Sequence, residues 1–306
     1  MEVSELYKDK KKTLSFEIVP PEKNSELSSI DETLDILCEL NPDFISVTFG
    51  TGGRENCNST IEVARIIKEK YNIEPVVHLT CLNCSKDEID LIAKQLQQSG
   101  IQNVLALRGD KIPNIQAKND FKYASDLIKY MKSKYNFCFL GACYPECHPE
   151  SENSVDDIKH LKEKVNSGAE VLLSQLFFDN NYFYDFQEKC KVADIDVPII
   201  AGIMPAISKS QLEKMVSLCG VTIPPQLERI VNKFGSNKDA LFDAGMSYGI
   251  SQIIDLLASD VDGVHIYTMN NPMVAKRISS EIHNFIKYLL PTKFVLPNIL
   301  YTLKVG

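Results

Sequence analysis

Three absences in this 306-residue chain each close off a class of function. A basic excess is missing: 33 Lys and Arg against 41 Asp and Glu give a formal charge of -8. Non-specific nucleic-acid binding works by displacing counterions from phosphates with a cationic surface, so this balance argues against it. It leaves open a phosphate-bearing cofactor held by a few local groups. No apolar run approaches the roughly 20 residues of a membrane helix. The start of the chain, with Glu2, Glu5 and the charged run Lys8 to Lys12, is too polar for a signal peptide. The expectation is a cytoplasmic protein with no membrane partner. A Gly-x-Gly-x-x-Gly run is also lacking, so no Rossmann phosphate turn is written here.

Cysteine is present, though not as a disulfide framework. The count of nine is odd, and Cys38, Cys57, Cys138, Cys190 and Cys219 each stand alone among apolar neighbours. In a reducing compartment these read as small buried thiols. Cys81 with Cys84, and Cys143 with Cys147 and His148, could hold zinc or an iron–sulfur cluster if the fold joined them. The second group departs from knuckle spacing and flanks Pro145, so ordinary thiols and no metal are expected.

What the chain does have is one pattern repeated, an apolar β-rich run followed by an amphipathic helix. The runs are Thr13–Pro20, Phe44–Gly50, Glu74–Cys81, one from Asn103, Phe137–Tyr144, Val171–Phe178, Pro198–Met204 and Gly263–Met269. The helices expected between them cover Glu26–Leu40, Ser59–Lys70, a segment capped by Ser85 with Glu88 three residues on, Tyr123–Lys134, Val155–Ser167, Tyr182–Ala193, one from Ser208, and Pro272–Leu289. Eight alternations predict an α/β fold, a (β/α)8 TIM barrel, because parallel strands need helical crossovers and eight close the sheet. Between the seventh and eighth runs, Thr222–Asp262 has periodic apolar positions (Leu241, Met246, Ile250, Ile253, Leu257) and predicts extra helices packed on the barrel. No composition break marks a second domain, so residues 1–306 are expected to form one domain. Its tail, 291–306, is apolar enough to cover a surface or meet another subunit.

In such a barrel, ligands bind at the C-terminal strand tips. The tips here are unusually polar: Glu17 before Pro20-Pro21, Thr48 and Gly50, His78 and Thr80, Arg108 and Asp110, Tyr144 and His148, Gln175 and Asp179, Gly202 and Pro205, Tyr267 and Asn270. The fourth is the most informative, since Val104 to Leu107 breaks off into Arg108-Gly109-Asp110. Arg108 could meet an anion or a carbonyl, Asp110 could accept from a heterocycle's N–H groups, and Gly109 lets the backbone approach a flat ligand. A strand-end salt bridge between Arg108 and Asp110 is the alternative. Glu17 lies between Phe16 and Ile18, and burial there would keep it protonated near neutrality, as a general acid requires. A lone strand histidine such as His78 reads more simply as a core residue with both ring nitrogens satisfied.

The order Ser15-Phe16-Glu17, Ser46-Val47-Thr48-Phe49-Gly50, His78-Leu79-Thr80-Cys81, Ala106-Leu107-Arg108-Gly109-Asp110, Tyr123-Ala124-Ser125-Asp126-Leu127, Tyr144-Pro145-Glu146 with His148-Pro149-Glu150, Gln175-Leu176-Phe177-Phe178-Asp179, Gly202-Ile203-Met204-Pro205 and Tyr267-Thr268-Met269-Asn270 resembles the methylenetetrahydrofolate reductase family in its bacterial, catalytic-domain-only form. The likeness runs from about residue 13 to about 285.

The resemblance implies FAD-dependent reduction of 5,10-methylenetetrahydrofolate to 5-methyltetrahydrofolate, a step of one-carbon metabolism and methionine biosynthesis. It implies a flavin across the C-terminal face of the barrel, with contacts at Thr48, His78, Arg108, Gly109, Asp110, Tyr123, Ala124, Ala142, Tyr144, His148, Asp157 and Lys164. Lys164, His148 and Arg108 suit the diphosphate and the electron-rich flavin edge, and Asp157 a sugar hydroxyl. For the chemistry it implies Glu17 as general acid and Asp110 as electrostatic stabiliser, with Gln175, Gln211 and Tyr267 contacting folate. Two positions depart from the pattern: Asn271 stands where many relatives carry arginine, and Met215 where some carry phenylalanine. The electron donor is NADH or a partner protein, and a homo-oligomer is the expected assembly. The competing reading is a flavin-binding barrel serving as one subunit of an electron-transfer complex.

Overall fold

The computed structural model describes residues 1–8, 12–21, 30–49, 54–111, 117–118 and 120–289, without the side chains of 54–57. The tail 291–306, Gly50, the Cys57 side chain and the start of the helix expected from Glu26 lie outside the described residues.

Eight strands form the barrel: β1 Thr13–Ile18, β2 Phe44–Val47, β3 Glu74–Thr80, β4 Asn103–Leu107, β5 Cys138–Cys143, β6 Ala169–Ser174, β7 Ile199–Ile203 and β8 Gly263–Tyr267. Each pairs in parallel with the next, and β8 returns to β1 to close the sheet. The helices are α1 Asp31–Glu39, α2 Arg54–Tyr71, α3 Lys86–Gln98, α4 Ala124–Lys132, α5 Ser154–Asn166, α6 Asn180–Val192, α7 Lys209–Cys219, α8 Pro225–Phe234, α9 Lys238–Ala258 and α10 Pro272–Leu289. The expected capping box starts α3: Ser85 Oγ accepts from the Glu88 N–H, and the Glu88 carboxylate accepts from the Ser85 N–H.

Side chains alternate across each strand, so two separate apolar bodies form. Outward residues such as Phe16, Val47, Leu79, Val104 and Ile266 pack under the helices. Inward residues Phe44, Val76, Leu105, Leu140, Val171 and Ile200 fill the lower barrel. The short 3-10 turn Val3–Tyr7 plugs the bottom, with Val3 fully buried in that inner cluster. Its backbone N–H donates to Asn103 Oδ1 at 2.7 Å.

Two expectations need correction. The sixth strand begins earlier and ends sooner than Val171–Phe178: it stops at Ser174, and Leu176, Phe177 and Phe178 are buried in the loop beyond it. An apolar run alone does not distinguish a strand from a loop that turns under its own cover. The helices between β7 and β8 are also arranged differently. It is α9 that packs on β7, α6 and α10 and so fills the seventh place in the helical layer. The additional elements are α7 and α8, which join loop residues Leu176, Phe178 and Met204 in a third cluster at the barrel's top.

Candidate functional site

The strand tips surround a cavity of about 400 Å³ at the C-terminal mouth. Glu17, Thr48, His78, Arg108, Gly109, Asp110, Ala142, Tyr144, His148, Gln175 and Tyr267 line it. A second cavity of about 210 Å³ extends from it toward α4 and α5, lined by Tyr123, Ala124, Asp157 and Lys164. Arg108, Ala142, Tyr144 and His148 belong to both walls, so the two spaces adjoin. Every expected site residue thus lies on one wall or the other, except Gln211. That residue occupies the first turn of α7, where its backbone N–H donates to the capping Ser208 hydroxyl, and it lines neither space.

Glu17 is the inward residue next to the end of β1, registered with Ser46 on one side and Tyr267 on the other. Its side chain is 13% exposed, and burial pushes its pKa up to about 8. The carboxyl is therefore protonated at neutral pH. His78 Nε2 lies 3.7 Å from Glu17 Oε2. Contrary to the expectation of a satisfied core histidine, this nitrogen is buried without a hydrogen-bond partner. Burial lowers the His78 pKa to about 3, so the ring is neutral. An uncharged acid beside an uncharged imidazole, both at a cavity wall, is a proton-handling arrangement rather than an ion pair.

One layer below, His265 accepts or donates at both ring nitrogens, 2.7 Å from Ser15 Oγ and 3.2 Å from Ser46 Oγ. These three residues were not singled out in the sequence. The signal was available, because Ser15 and His265 stand two positions before Glu17 and Tyr267 on the same inward face. The Tyr267 hydroxyl crosses the barrel to donate to the Ser174 carbonyl at 2.7 Å. Gly202 makes that crossing possible: a Cβ there would lie 2.3 Å from the Ser174 carbonyl oxygen and 2.7 Å from Tyr267 Cε2. Gln175 Oε1 accepts from the Leu176 N–H, which leaves its amide N–H groups to offer a ligand.

At the fourth tip, Arg108 does not pair with Asp110. Its guanidinium forks onto Glu150, with Nη1–Oε2 2.5 Å and Nη2–Oε1 2.9 Å, and that pair holds the Glu150 carboxyl down at about 2. Asp110 is exposed at the mouth, and its backbone carbonyl accepts from Asn83 Nδ2. Gly109 has φ +83°, and a Cβ would meet Thr80 Cβ at 2.8 Å, so the tip turns over β3 only with glycine.

In the second cavity the Lys164 ammonium is buried and donates to the Ala142 carbonyl. Burial lowers its pKa, with Asp157 opposing the shift. Asp157 itself is occupied in shaping the wall, accepting from the His148 backbone N–H and the Ser151 hydroxyl. His148 Nδ1 accepts from the Glu150 N–H, so a neutral ring carries its proton on Nε2. The Tyr123 ring stacks on His160 at the rim, 6.2 Å between centroids. As for the cysteines, Cys81 and Cys84 are buried beside β3 and α3, and burial raises both thiols, to about 12 and about 11. Among the described residues, no three His, Cys, Asp or Glu side chains converge as a metal would require.

A closed parallel barrel with ionisable groups collected at its C-terminal mouth defines the TIM-barrel enzyme class. The model of the family described as methylenetetrahydrofolate reductase matches residues 2–283, and the chain belongs to that family of enzymes. It is 36% identical to the 5,10-methylenetetrahydrofolate reductase of Buchnera aphidicola, covering 90% of this chain and 92% of that relative. Identity to the Escherichia coli protein of the same name is 33%, over 84% of this chain and 86% of the relative. A rice relative named as a probable NADH-type reductase is 31% identical, and the chain spans 48% of its length. Among solved structures, a Clostridium thermocellum protein described as binding two copies of 5-methyl-5,6,7,8-tetrahydrofolic acid shares the fold, with a TM-score of 0.64 at 16% identity over 93% of this chain and 98% of that one.

Proposed function

We propose that this protein reduces 5,10-methylenetetrahydrofolate to 5-methyltetrahydrofolate with FAD as cofactor and NADH as the donor. The observation that carries the reading is Glu17, a carboxyl protonated at neutral pH in the wall of a cavity large enough for a pterin. The bridging methylene of the substrate becomes a hydride acceptor only after its ring opens to an iminium, and opening requires a proton on the departing nitrogen. Glu17 supplies that proton, directly or through water. Asp110 stands at the same mouth to hydrogen-bond the pterin and offset the cation that forms. Gln175 and Tyr267 line the same cavity, and the folate contacts are assigned to them on this reading.

The residues present fit a flavin dinucleotide. A buried ammonium, Lys164, and the Nε2–H of His148 border the extension toward α4 and α5, and suit an anionic diphosphate. The His78 ring forms part of the wall of the larger space, with its buried Nε2 beside the Glu17 carboxyl, and a flat heterocycle would pack against that wall. Bound FAD, once reduced by NADH, would supply the hydride; the protein's part is to bind substrate at the mouth and deliver the proton.

The visible spectrum of the purified protein tests this reading. Flavin bands that bleach with NADH and return on adding methylenetetrahydrofolate are the expected result. Flavin bands unaffected by NADH would assign the electron donor to a partner protein, and a colourless protein that takes up no FAD would refute the proposal.

A further inference from the structure

Beyond Glu17, the chain must stop β1 at a fixed height, because the carboxyl's place in the mouth depends on the backbone that carries it. On the β2 side the sheet reaches one residue further, with Ile18 paired to Val47 and its carbonyl accepting from the Thr48 N–H, but on the β8 side the pairing of Glu17 with Tyr267 is the last rung. Side chains from the turn after β8 continue the contact. Thr268, 1% exposed, donates its hydroxyl to the Glu17 carbonyl at 2.8 Å. Asn270 grips Val19 at both backbone atoms: its Oδ1 accepts from the Val19 N–H and its Nδ2 donates to the Val19 carbonyl, each at 2.8 Å. One side-chain amide thereby takes up both backbone groups that Val19 would otherwise offer to a neighbouring strand.

This grip is held against a conformational cost. Met269 and Asn270 are consecutive left-handed residues, φ +51° and +58°, and methionine is disfavoured there because its Cβ crowds the following carbonyl. The turn brings the Asn270 amide back over β1 while Met269 lines the cavity. We propose that Thr268 and Asn270 are positioning residues that set the height and solvent exclusion of Glu17, with no contact of their own to substrate. The inference rests on the acid role given to Glu17 above.

The other titratable groups around Glu17 are His78 from β3, Tyr267 and His265 from β8, and Asp110 across the mouth. None is bonded to Thr268 or Asn270 among the hydrogen bonds of the described residues. Loosening the turn should therefore act on Glu17 by admitting water, which lowers its pKa.

The test uses three variants of the full-length flavoprotein. Asn270→Gly removes the grip but keeps a residue suited to positive φ, and Thr268→Val removes the hydroxyl at nearly constant shape. Thr268→Ser restores the hydroxyl. In the first two, reoxidation of the reduced flavin by methylenetetrahydrofolate should slow about tenfold, with its high-pH limit moved down by about one unit. NADH reduction and FAD content should stay as in wild type, and Thr268→Ser should recover both rate and pH limit. An unshifted pH limit in Asn270→Gly and Thr268→Val overturns the proposal, as does an equal decline of both half-reactions with lowered Tm. Glu17→Gln, measured alongside, separates the two layers. If it still turns over normally, the acid role fails and this proposal with it; if it is inactive while the turn variants keep the wild-type pH limit, positioning alone fails.

Discussion

The two ends of the barrel are built from the same strands and obey opposite rules. At the bottom, inward side chains are apolar and close-packed around Val3, and the polar Asn103 is satisfied by the backbone of the plugging segment, accepting from the Val3 N–H and donating to the Met1 carbonyl. At the mouth the inward residues include Glu17, His78, Gln175 and Tyr267, bordering open space, with the polar pair Ser15 and His265 one layer below Glu17 and Tyr267. Backbone strain divides the same way. Non-glycine left-handed residues in the lower loops are Asn41, Asn72, Asp194 and Asp260, types that tolerate that region, whereas those at the mouth include Cys147 and Met269, which do not, beside the tolerant Asn270. The bottom is arranged for stability and the mouth accepts unfavourable residues where side chains must be aimed.

Substitutions can break this division, and the largest effects come first. Glu17→Gln should cut folate reduction by about 10²–10⁴-fold, leave FAD content near wild type and, because a buried amide escapes the ionisation linkage of the carboxyl, raise Tm at neutral pH rather than lower it. Phe44→Ala, fully buried in the lower barrel, should do the reverse, costing about 3–5 kcal/mol by denaturant unfolding with rates per folded molecule unchanged. Loss of stability in the first, or of chemistry in the second at low temperature, would blur the boundary between the two ends.

Asp110→Asn comes next. Since Arg108 is committed to Glu150, removing the Asp110 charge should not unpick the strand tip. Hydride transfer to folate should slow on the order of a hundredfold, while the flavin potential rises because a nearby negative charge is gone. Stopped-flow measurement of both half-reactions would show the opposite senses; a parallel fall in both, with FAD lost, would make Asp110 structural.

The smallest effect sharpens the strain comparison. Cys147, at φ +88°, lies just before His148 in the wall shared by both cavities. Cys147→Gly should raise stability by about 1 kcal/mol without loss of turnover, read from thermal unfolding and steady-state rates together. A drop in stability would show that the thiol's packing outweighs the backbone cost.

Much of this organisation is legible in the sequence because it is periodic. Eight apolar runs ending in polar residues specify the closed sheet, and the abrupt change of character after Leu107 marks the mouth. Phe16 and Ile18 mark Glu17 as part of a buried strand, but they face outward under the helices, and the burial that keeps Glu17 protonated comes from inward neighbours on other strands, His78 and Tyr267 among them. Contacts between distant tips have no such local sign. Nothing near Arg108 tells that it chooses Glu150 over its neighbour Asp110, and nothing near Asn270 tells that it closes on Val19. Nor does the order of helices show that α9, not α7, completes the layer; the sign available was composition, since α9 is apolar over most of its surface and buries eight residues where α7 buries Leu212 alone.

The division between the two ends turns on Glu17 being an acid that keeps its proton at neutral pH. Its raised pKa means that the folded protein holds a proton that the unfolded chain has lost between 4.5 and about 8. Stability from this group is thus complete below that window and falls as pH rises through it, by up to about 1.4 kcal/mol per pH unit. Infrared difference spectra of wild type against Glu17→Gln, recorded across the same range, isolate the one carboxyl. A protonated C=O band at neutral pH, replaced by carboxylate absorption around 8, is the expected result; carboxylate absorption already dominant at neutral pH would contradict the acid role.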